Sequence, residues 1–167
     1  MKILVLGLLS VLGAFAQKIQ IEFDQSVDFT KYKTFAIRDG RLNSGNPSLS
    51  SDLVRKQIDS DIRKYLGAKG LLFVSSGSSD LNLRYTLGSA NKTELEAYPA
   101  GWRGWGTQVV RVPYTEGTLV VDLRDSGTRS LVWRAIAREH KSDPYKVQGK
   151  LDDMVRKSFD KYPPKVK

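Results

Sequence analysis

The chain has 167 residues and a formal net charge of +9, with 40% hydrophobic and 27% charged residues. This balance is typical of a folded globular protein and argues against a disordered chain. Because there is no cysteine, disulfides, thiolate metal sites, cysteine nucleophiles and a lipid anchor on an N-terminal cysteine are all excluded.

The N-terminal segment has the three parts of a secretory signal. Lys2 supplies a positive start, residues 3–15 are almost entirely apolar, and Ala14-Phe15-Ala16 has the small-x-small pattern of a signal-peptidase site. The apolar run is shorter than the roughly 20 residues that a membrane-spanning helix needs. We therefore predict a cleavable signal peptide over residues 1–16. The mature chain, residues 17–167, is then a single domain in the periplasm or outside the cell.

The first half of the mature chain predicts two strands and a helix. Residues 18–24 alternate apolar and polar, as expected of a half-buried strand, and residues 33–38 form a second short strand. Residues 39–51 are rich in Gly, Asn, Ser and Pro, which indicates a surface loop. Apolar residues at three-to-four spacing predict a helix over 52–68 that follows a serine cap and stops at Gly70.

The second half of the chain predicts mainly strands. Short strands are expected over residues 71–75 and 80–88. The clearest hairpin joins residues 118–124 to 130–140, whose apolar residues alternate in step across a turn. Within that turn, Gly127 is expected to adopt a positive φ.

An amphipathic helix is predicted over residues 148–161, before Pro163-Pro164. The order of elements predicts an α+β fold, an antiparallel sheet of about five or six strands with two helices packed on one face. The other face is expected to be solvated, with an anion or partner site as the alternative. Its charged residues are Asp122, Arg124, Arg134 and Arg138.

The segment from Ala97 to Gly106 is unusual because glycines alternate with aromatic residues and an arginine. Rings of this kind suit a protein hot spot, a sugar or a membrane interface, since each buries a large apolar area and keeps a polar edge. The alternative is that the loop folds back over one end of the sheet. The candidate contact surface consists of Tyr98, Trp102, Arg103 and Trp105.

No residue pattern indicates catalysis or a cofactor. The serines lack the Gly-x-Ser-x-Gly context, and the chain has neither a phosphate-binding loop nor a dinucleotide fingerprint. The single histidine, His140, excludes a site that needs two imidazoles and is expected to be a solvated polar residue. We predict no catalytic, cofactor-binding or metal-binding residue. A carboxylate pair for glycoside hydrolysis is the weaker alternative, with Asp24, Asp28, Glu94, Glu96 and Glu116 as the available acids.

Several segments together resemble a known bacterial family. They are Asp28–Ala36, Ala68–Leu71, Asp80–Leu81, Gly117–Leu123 and Leu131–Arg134. In combination they are similar to the domain of unknown function 4136 (DUF4136), over nearly the whole mature chain. The resemblance implies an exported, lipoprotein-like domain without an established activity. It implies export without lipid attachment for this chain, which lacks the lipobox cysteine that many members carry.

These observations predict a non-enzymatic, envelope-associated binding or adaptor module. The alternative is a periplasmic protein that binds a small ligand or a glycan. For an exported basic protein, the expected partners are an envelope protein or a cell-wall or lipid component, and not nucleic acid. The positive charge serves either this binding or solubility alone.

Overall fold

The computed structural model of the protein describes residues 18–99, 107–141 and 143–165. The strands in this part of the chain are β1 (Lys18–Phe23), β2 (Thr34–Asn43), β3 (Leu72–Phe73), β4 (Leu81–Pro99), β5 (Thr107–Asp125) and β6 (Leu131–Lys141). The helices are α1 (Asp52–Ala68), α2 (Pro144–Gln148) and α3 (Leu151–Asp160). None of these helices is long and apolar enough to cross a membrane. The predicted signal peptide lies outside the described residues.

The six strands form one mixed sheet in the order β1-β6-β5-β4-β2-β3. The first four strands in this order pair antiparallel, as predicted. At the other edge, β2 runs parallel to both β3 and β4, so the prediction of an antiparallel sheet is wrong there. The cause is the path of the chain, because α1 returns it to the starting end of β2 and the next strands then run the same way. The fold is α+β.

Strand β2 is longer than the sequence predicts. It continues past Arg38 to Asn43, through residues expected to form a loop, because these residues pair with Arg84–Gly88 of β4. At Gly40 the ring of Tyr85 lies so close that a Cβ would overlap it. The polar sequence of this stretch does not predict a strand, and the strand forms because its backbone pairs with β4.

Helix α1 confirms its predicted bounds and both of its end signals. The Ser51 hydroxyl accepts a hydrogen bond from the Val54 N–H at 3.3 Å, and Gly70 takes a φ of 88° just beyond the C-terminus. The Tyr85 hydroxyl of β4 donates to the Asp59 carboxylate at 2.7 Å, which attaches the helix to the sheet. The buried stripe consists of Val54, Ile58, Ile62 and Leu66.

All three helices pack on the same face of the sheet, where two were predicted. The ring of Trp133 in β6 stacks on Phe159 of α3 with 5.6 Å between centroids, and Val147 of α2 lies directly against Gly117 of β5. The helix predicted over residues 148–161 is confirmed as α3, which is shorter and covers Leu151–Asp160, and α2 is a separate short helix before it that was not predicted. This face of the sheet and the helices enclose the hydrophobic core.

The hairpin of β5 and β6 is confirmed, but its turn differs in one residue. Arg129, with a φ of 62°, takes the left-handed conformation that was predicted for Gly127. The Asp125 carboxylate shapes the turn because it accepts hydrogen bonds from the N–H groups of Gly127 at 2.9 Å and Thr128 at 3.0 Å. The left-handed residue therefore falls later in the turn.

Candidate binding surfaces

The hairpin of β4 and β5 extends well beyond the rest of the sheet. Strand β2 ends beside Gly88 of β4, and β6 ends beside Thr115 of β5. Beyond these points, within the part of the chain that the structure describes, β4 and β5 pair only with each other to the ends of both strands. We call residues 91–99 and 107–114 the β4–β5 ribbon. At roughly 3.3 Å per residue it is about 25 Å long, and its two outer edges have no neighbouring strand in the described part of the chain.

Apolar side chains on the ribbon are exposed to solvent. Leu95 is 65% exposed and Val109 is 60% exposed. Because Leu95 pairs with Arg111 and Ala97 pairs with Val109, the two apolar residues lie diagonally on one face of the ribbon. Contact with a partner would remove this apolar surface from water, which is favourable in free energy.

A charged cluster lies where the ribbon leaves the sheet. The Glu116 carboxylate contacts the Lys92 ammonium at 2.7 Å and His140 Nε2 at 2.8 Å. The Lys92 ammonium, followed by His140, holds the pKa of Glu116 below its usual range. The Tyr114 ring lies 5.1 Å from the His140 ring. These contacts join β4, β5 and β6 at the base of the ribbon and fix its direction relative to the sheet.

The contact surface predicted from the sequence falls on the last residues of β4 and on the stretch of chain that follows them. Trp102, Arg103 and Trp105 lie outside the described residues, and so does the side chain of Tyr98. The described chain places the two ends of their segment side by side, since the last pair of the ribbon is Pro99 with Thr107. The sequence did not reveal the long paired strands that precede and follow this segment.

Two of the acids considered for catalysis have local structural roles. The Asp24 carboxylate accepts hydrogen bonds from the Ser26 hydroxyl and N–H, and Asp28 makes the same contacts with Thr30. These bonds lower the pKa of both aspartates. In the described part of the chain, no group of three or more His, Asp or Glu side chains could hold a metal ion.

The family resemblance is confirmed by a family model described as "Domain of unknown function (DUF4136)", which matches residues 19–164. The chain belongs to this family. No curated protein matches this DUF4136 domain in sequence.

Solved structures with low sequence identity are similar to the DUF4136 domain. A PDZ domain protein from Parabacteroides distasonis is 16% identical and gives a TM-score of 0.60 over 88% of this chain, which spans 35% of that protein. The PelC dodecamer from Paraburkholderia phytofirmans is 10% identical and gives 0.50, with 86% of this chain and 94% of that chain covered. A putative neuraminyllactose-binding hemagglutinin homolog from Helicobacter pylori is 9% identical and gives 0.49, with 87% and 94% covered. At these identities, the first two structures indicate a shared fold and carry no information on function.

Proposed function

We propose that this DUF4136 domain is an exported, non-catalytic binding module that attaches to a protein of the cell envelope through the β4–β5 ribbon. The observation that carries the proposal is the ribbon itself, which extends about 25 Å past its neighbouring strands with exposed apolar side chains. A two-stranded hairpin without support is only marginally stable in water. Contact with a partner would stabilise such a hairpin, and this favours a binding role for the ribbon.

The proposed partner supplies an extended segment that pairs with one edge of the ribbon. Each outer edge presents backbone N–H and C=O groups that no neighbouring strand of the described chain occupies. Strand addition at such an edge supplies affinity through main-chain hydrogen bonds and specificity through alternate side chains. Leu95 would contact the apolar side chains of a strand added at the β4 edge, or Val109 those of a strand added at the β5 edge, and the tryptophans of the segment beyond Pro99 would anchor its end.

Export is part of the proposal and is supported by the sequence. The positive start, the apolar run and the small-x-small site precede the domain in the order that a secretory signal requires. The first described strand begins at Lys18, immediately after the predicted cleavage region. The partner is therefore sought in the envelope fraction.

The test is affinity capture from detergent-solubilised envelope with immobilised protein, residues 17–167, followed by mass spectrometry. The ribbon variant is Leu95→Ser with Val109→Ser. The matched control is Leu53→Ser with Leu72→Ser, since these leucines are 74% and 69% exposed on α1 and β3. The captured protein is then purified, and its direct binding to each variant is measured.

A partner that binds directly to the protein and to the control, and does not bind to the ribbon variant, would support the proposal. Equal binding by both variants would place the contact surface elsewhere. Loss of folding in the ribbon variant is checked by circular dichroism. Its melting curve is expected to match that of the control because both pairs of side chains are exposed.

Glycan binding is the second candidate, and a cleft beside the base of the ribbon favours it. This cleft has a volume of about 340 Å³, and its lining includes Tyr114, His140 and Glu94. An aromatic ring can stack on a sugar, and a carboxylate beside it can accept hydrogen bonds from the hydroxyl groups of the sugar. Saturable binding of a soluble cell-wall fragment that is lost in Tyr114→Ala, without capture of a protein, would support this candidate.

A further inference from the structure

A second cleft lies on the open face of the sheet, at the end opposite to the β4–β5 ribbon. Its volume is about 500 Å³. It lies where β4 begins and β5 ends, since Leu81 and Asp125 form the first pair of that hairpin. Four arginines line it, namely Arg38, Arg84, Arg124 and Arg129. We call it the arginine cleft.

The arginines come together because the fold brings four separate segments to one corner. Leu83 and Leu123 are buried in the core, so that their neighbours along the strands, Arg84 and Arg124, lie on the open face. Arg38 belongs to the next strand, β2. Arg129 belongs to the turn after β5 and has the left-handed φ of 62°. No segment of the sequence contains this cluster.

The acids near the arginine cleft are already paired with other groups. The carboxylates of Asp39 and Asp122, which neighbour Arg84 in register, bind Arg41 at 2.9 Å and Arg134 at 2.6 Å. These two ion pairs leave Arg84 without a carboxylate of its own. Arg84 makes no hydrogen bond or ion pair within the described part of the chain.

Asp125 is the one acid in the lining of the cleft, and its charge is taken up by other groups. Its carboxylate contacts the Lys31 ammonium at 3.0 Å and the Tyr32 hydroxyl at 2.9 Å. Hydrogen bonds from the Thr128 N–H and from Lys31 hold the pKa of Asp125 well below its usual range. The four guanidinium groups therefore have no carboxylate of their own in the cleft.

Hydrogen bonds hold two of the four arginines of the cleft in place, and some polar atoms near them have no hydrogen-bond partner among the described residues. Arg38 is held in place because Nε donates to Asn82 Oδ1 at 2.8 Å and Nη2 donates to the Gly77 carbonyl at 2.6 Å. Arg124 donates through Nη1 to the Arg129 carbonyl at 3.2 Å. Arg124 Nε and Ser126 Oγ are buried and have no hydrogen-bond partner among the described residues. Unpaired buried donors are costly unless a ligand accepts their bonds.

We propose that the arginine cleft binds a phosphoryl group, carried either by a soluble phosphate ester or by a phospholipid headgroup. A phosphomonoester has up to two negative charges and three terminal oxygens, so several guanidinium groups can bind it at once. A carboxylate has one charge and two oxygens and would leave most of the donors unused. The volume of the cleft lies within the ordinary range for small-ligand sites and exceeds that of phosphate alone.

The experiment measures binding of two probes to the purified protein. Glycerol 3-phosphate, titrated by calorimetry, represents the soluble source. Phosphatidylcholine vesicles with and without phosphatidic acid, in a sedimentation assay, represent the lipid source. Acetate at equal ionic strength is the carboxylate comparison. The double variant Arg84→Gln with Arg129→Gln removes two guanidinium groups that have no hydrogen-bond or ion-pair partner among the described residues.

Arg138→Gln is the control, because it removes one positive charge from the same face about 13 Å along the strands from Arg84. The double variant is expected to weaken binding by about 100-fold, or tenfold for each lost charge-assisted bond. The control is expected to stay within about twofold, since salt screens a charge at that distance. Binding to glycerol 3-phosphate, or only to the phosphatidic acid vesicles, identifies the source.

The proposal is overturned by any of three results. One is that neither probe binds the protein. Another is that acetate binds as tightly as glycerol 3-phosphate, and the third is that Arg138→Gln weakens binding as much as the double variant. Because the arginine cleft and the β4–β5 ribbon lie at opposite ends of the hairpin, failure here leaves the proposed adaptor function untouched.

Discussion

The two halves of the β4–β5 hairpin share one continuous hydrogen-bonded register and differ in their neighbouring strands and in the burial of their side chains. In the lower half, residues 81–88 and 117–125, β2 and β6 lie alongside and the helices cover one face. Leu83 and Leu119 are completely buried there. In the ribbon, the same two strands pair only with each other, and Leu95 and Val109 are mostly exposed.

The difference shows that backbone pairing and burial of apolar side chains are separate requirements in this hairpin. Backbone pairing continues through the ribbon although its side chains are not buried, because the lower half fixes the register of the two strands. Stability, in contrast, comes from the apolar area that the lower half removes from water. The ribbon adds little to that area, which leaves its side chains available for contact with a partner.

The largest expected effect contrasts two leucines of β4. Leu83→Ala is expected to lower the free energy of unfolding by about 2–5 kcal/mol, through lost transfer energy and a cavity in the core. Leu95→Ala is expected to change it by at most about 0.5 kcal/mol, because this side chain is exposed. Urea unfolding of both variants measures the difference. Similar losses in the two variants would show that the ribbon is as well packed as the sheet.

Much of the lower half could be read from the sequence, because burial leaves a periodic signal. Both end signals of α1, Asp52–Ala68, agree with the structure, and so does its predicted apolar stripe except that Tyr65 is only half-buried. The alternation over residues 118–124 and 130–140 predicted the hairpin of β5 and β6 correctly. Where one face of a strand is buried, apolar and polar residues alternate along its sequence.

The ribbon and the arginine cleft could not be read in this way. Residues 89–94 are all small, polar or charged, so this stretch of β4 has no apolar residues at alternate positions that would predict a strand. The parallel direction of β2 depends on which end of the sheet α1 returns to, and spacing does not encode this. Arg38 and Arg129 are far apart in the sequence and meet only through the fold.

Gly117 stands at the boundary between the two halves, and its replacement is expected to have the next largest effect. A Cβ at this position would overlap the side chain of Val147 in α2. Gly117→Ala is expected to cost about 1–3 kcal/mol through overpacking. Adding Val147→Ala should recover part of that loss, with a coupling of about 1 kcal/mol in a double-mutant cycle. Additive effects of the two substitutions would contradict the close contact.

The helices that cover the lower half also contain a titrating group, and its effect on stability is expected to be smaller. Burial between α1 and α3, with the Asp152 carboxylate nearby, raises the pKa of Asp61 from 3.8 to about 6. Because the folded state holds this proton more tightly than the unfolded chain, the stabilisation is complete below pH 3.8. It is lost as the pH rises through 6. The full shift corresponds to about 3 kcal/mol, which partial exposure to solvent reduces to about 1–2 kcal/mol.

Asp61→Asn tests this because it removes the titration and keeps the size of the side chain. Unfolding free energies measured from pH 4 to pH 7 should fall in the parent protein and stay flatter in the variant. The variant should also be the more stable of the two at pH 7. Glu94→Gln, in the ribbon, controls for the change in net charge. An unchanged slope in Asp61→Asn would place the pH dependence on another group.

The smallest expected effect on stability belongs to the segment at the end of the ribbon. If the contact surface predicted from the sequence is right, Trp102→Ala with Trp105→Ala changes the free energy of unfolding by at most about 0.5 kcal/mol. The same variant should lose capture of the envelope partner. A loss of about 3–5 kcal/mol or more would instead mean that the rings pack in a core. The segment would then contribute to stability through buried apolar area, as the lower half of the hairpin does.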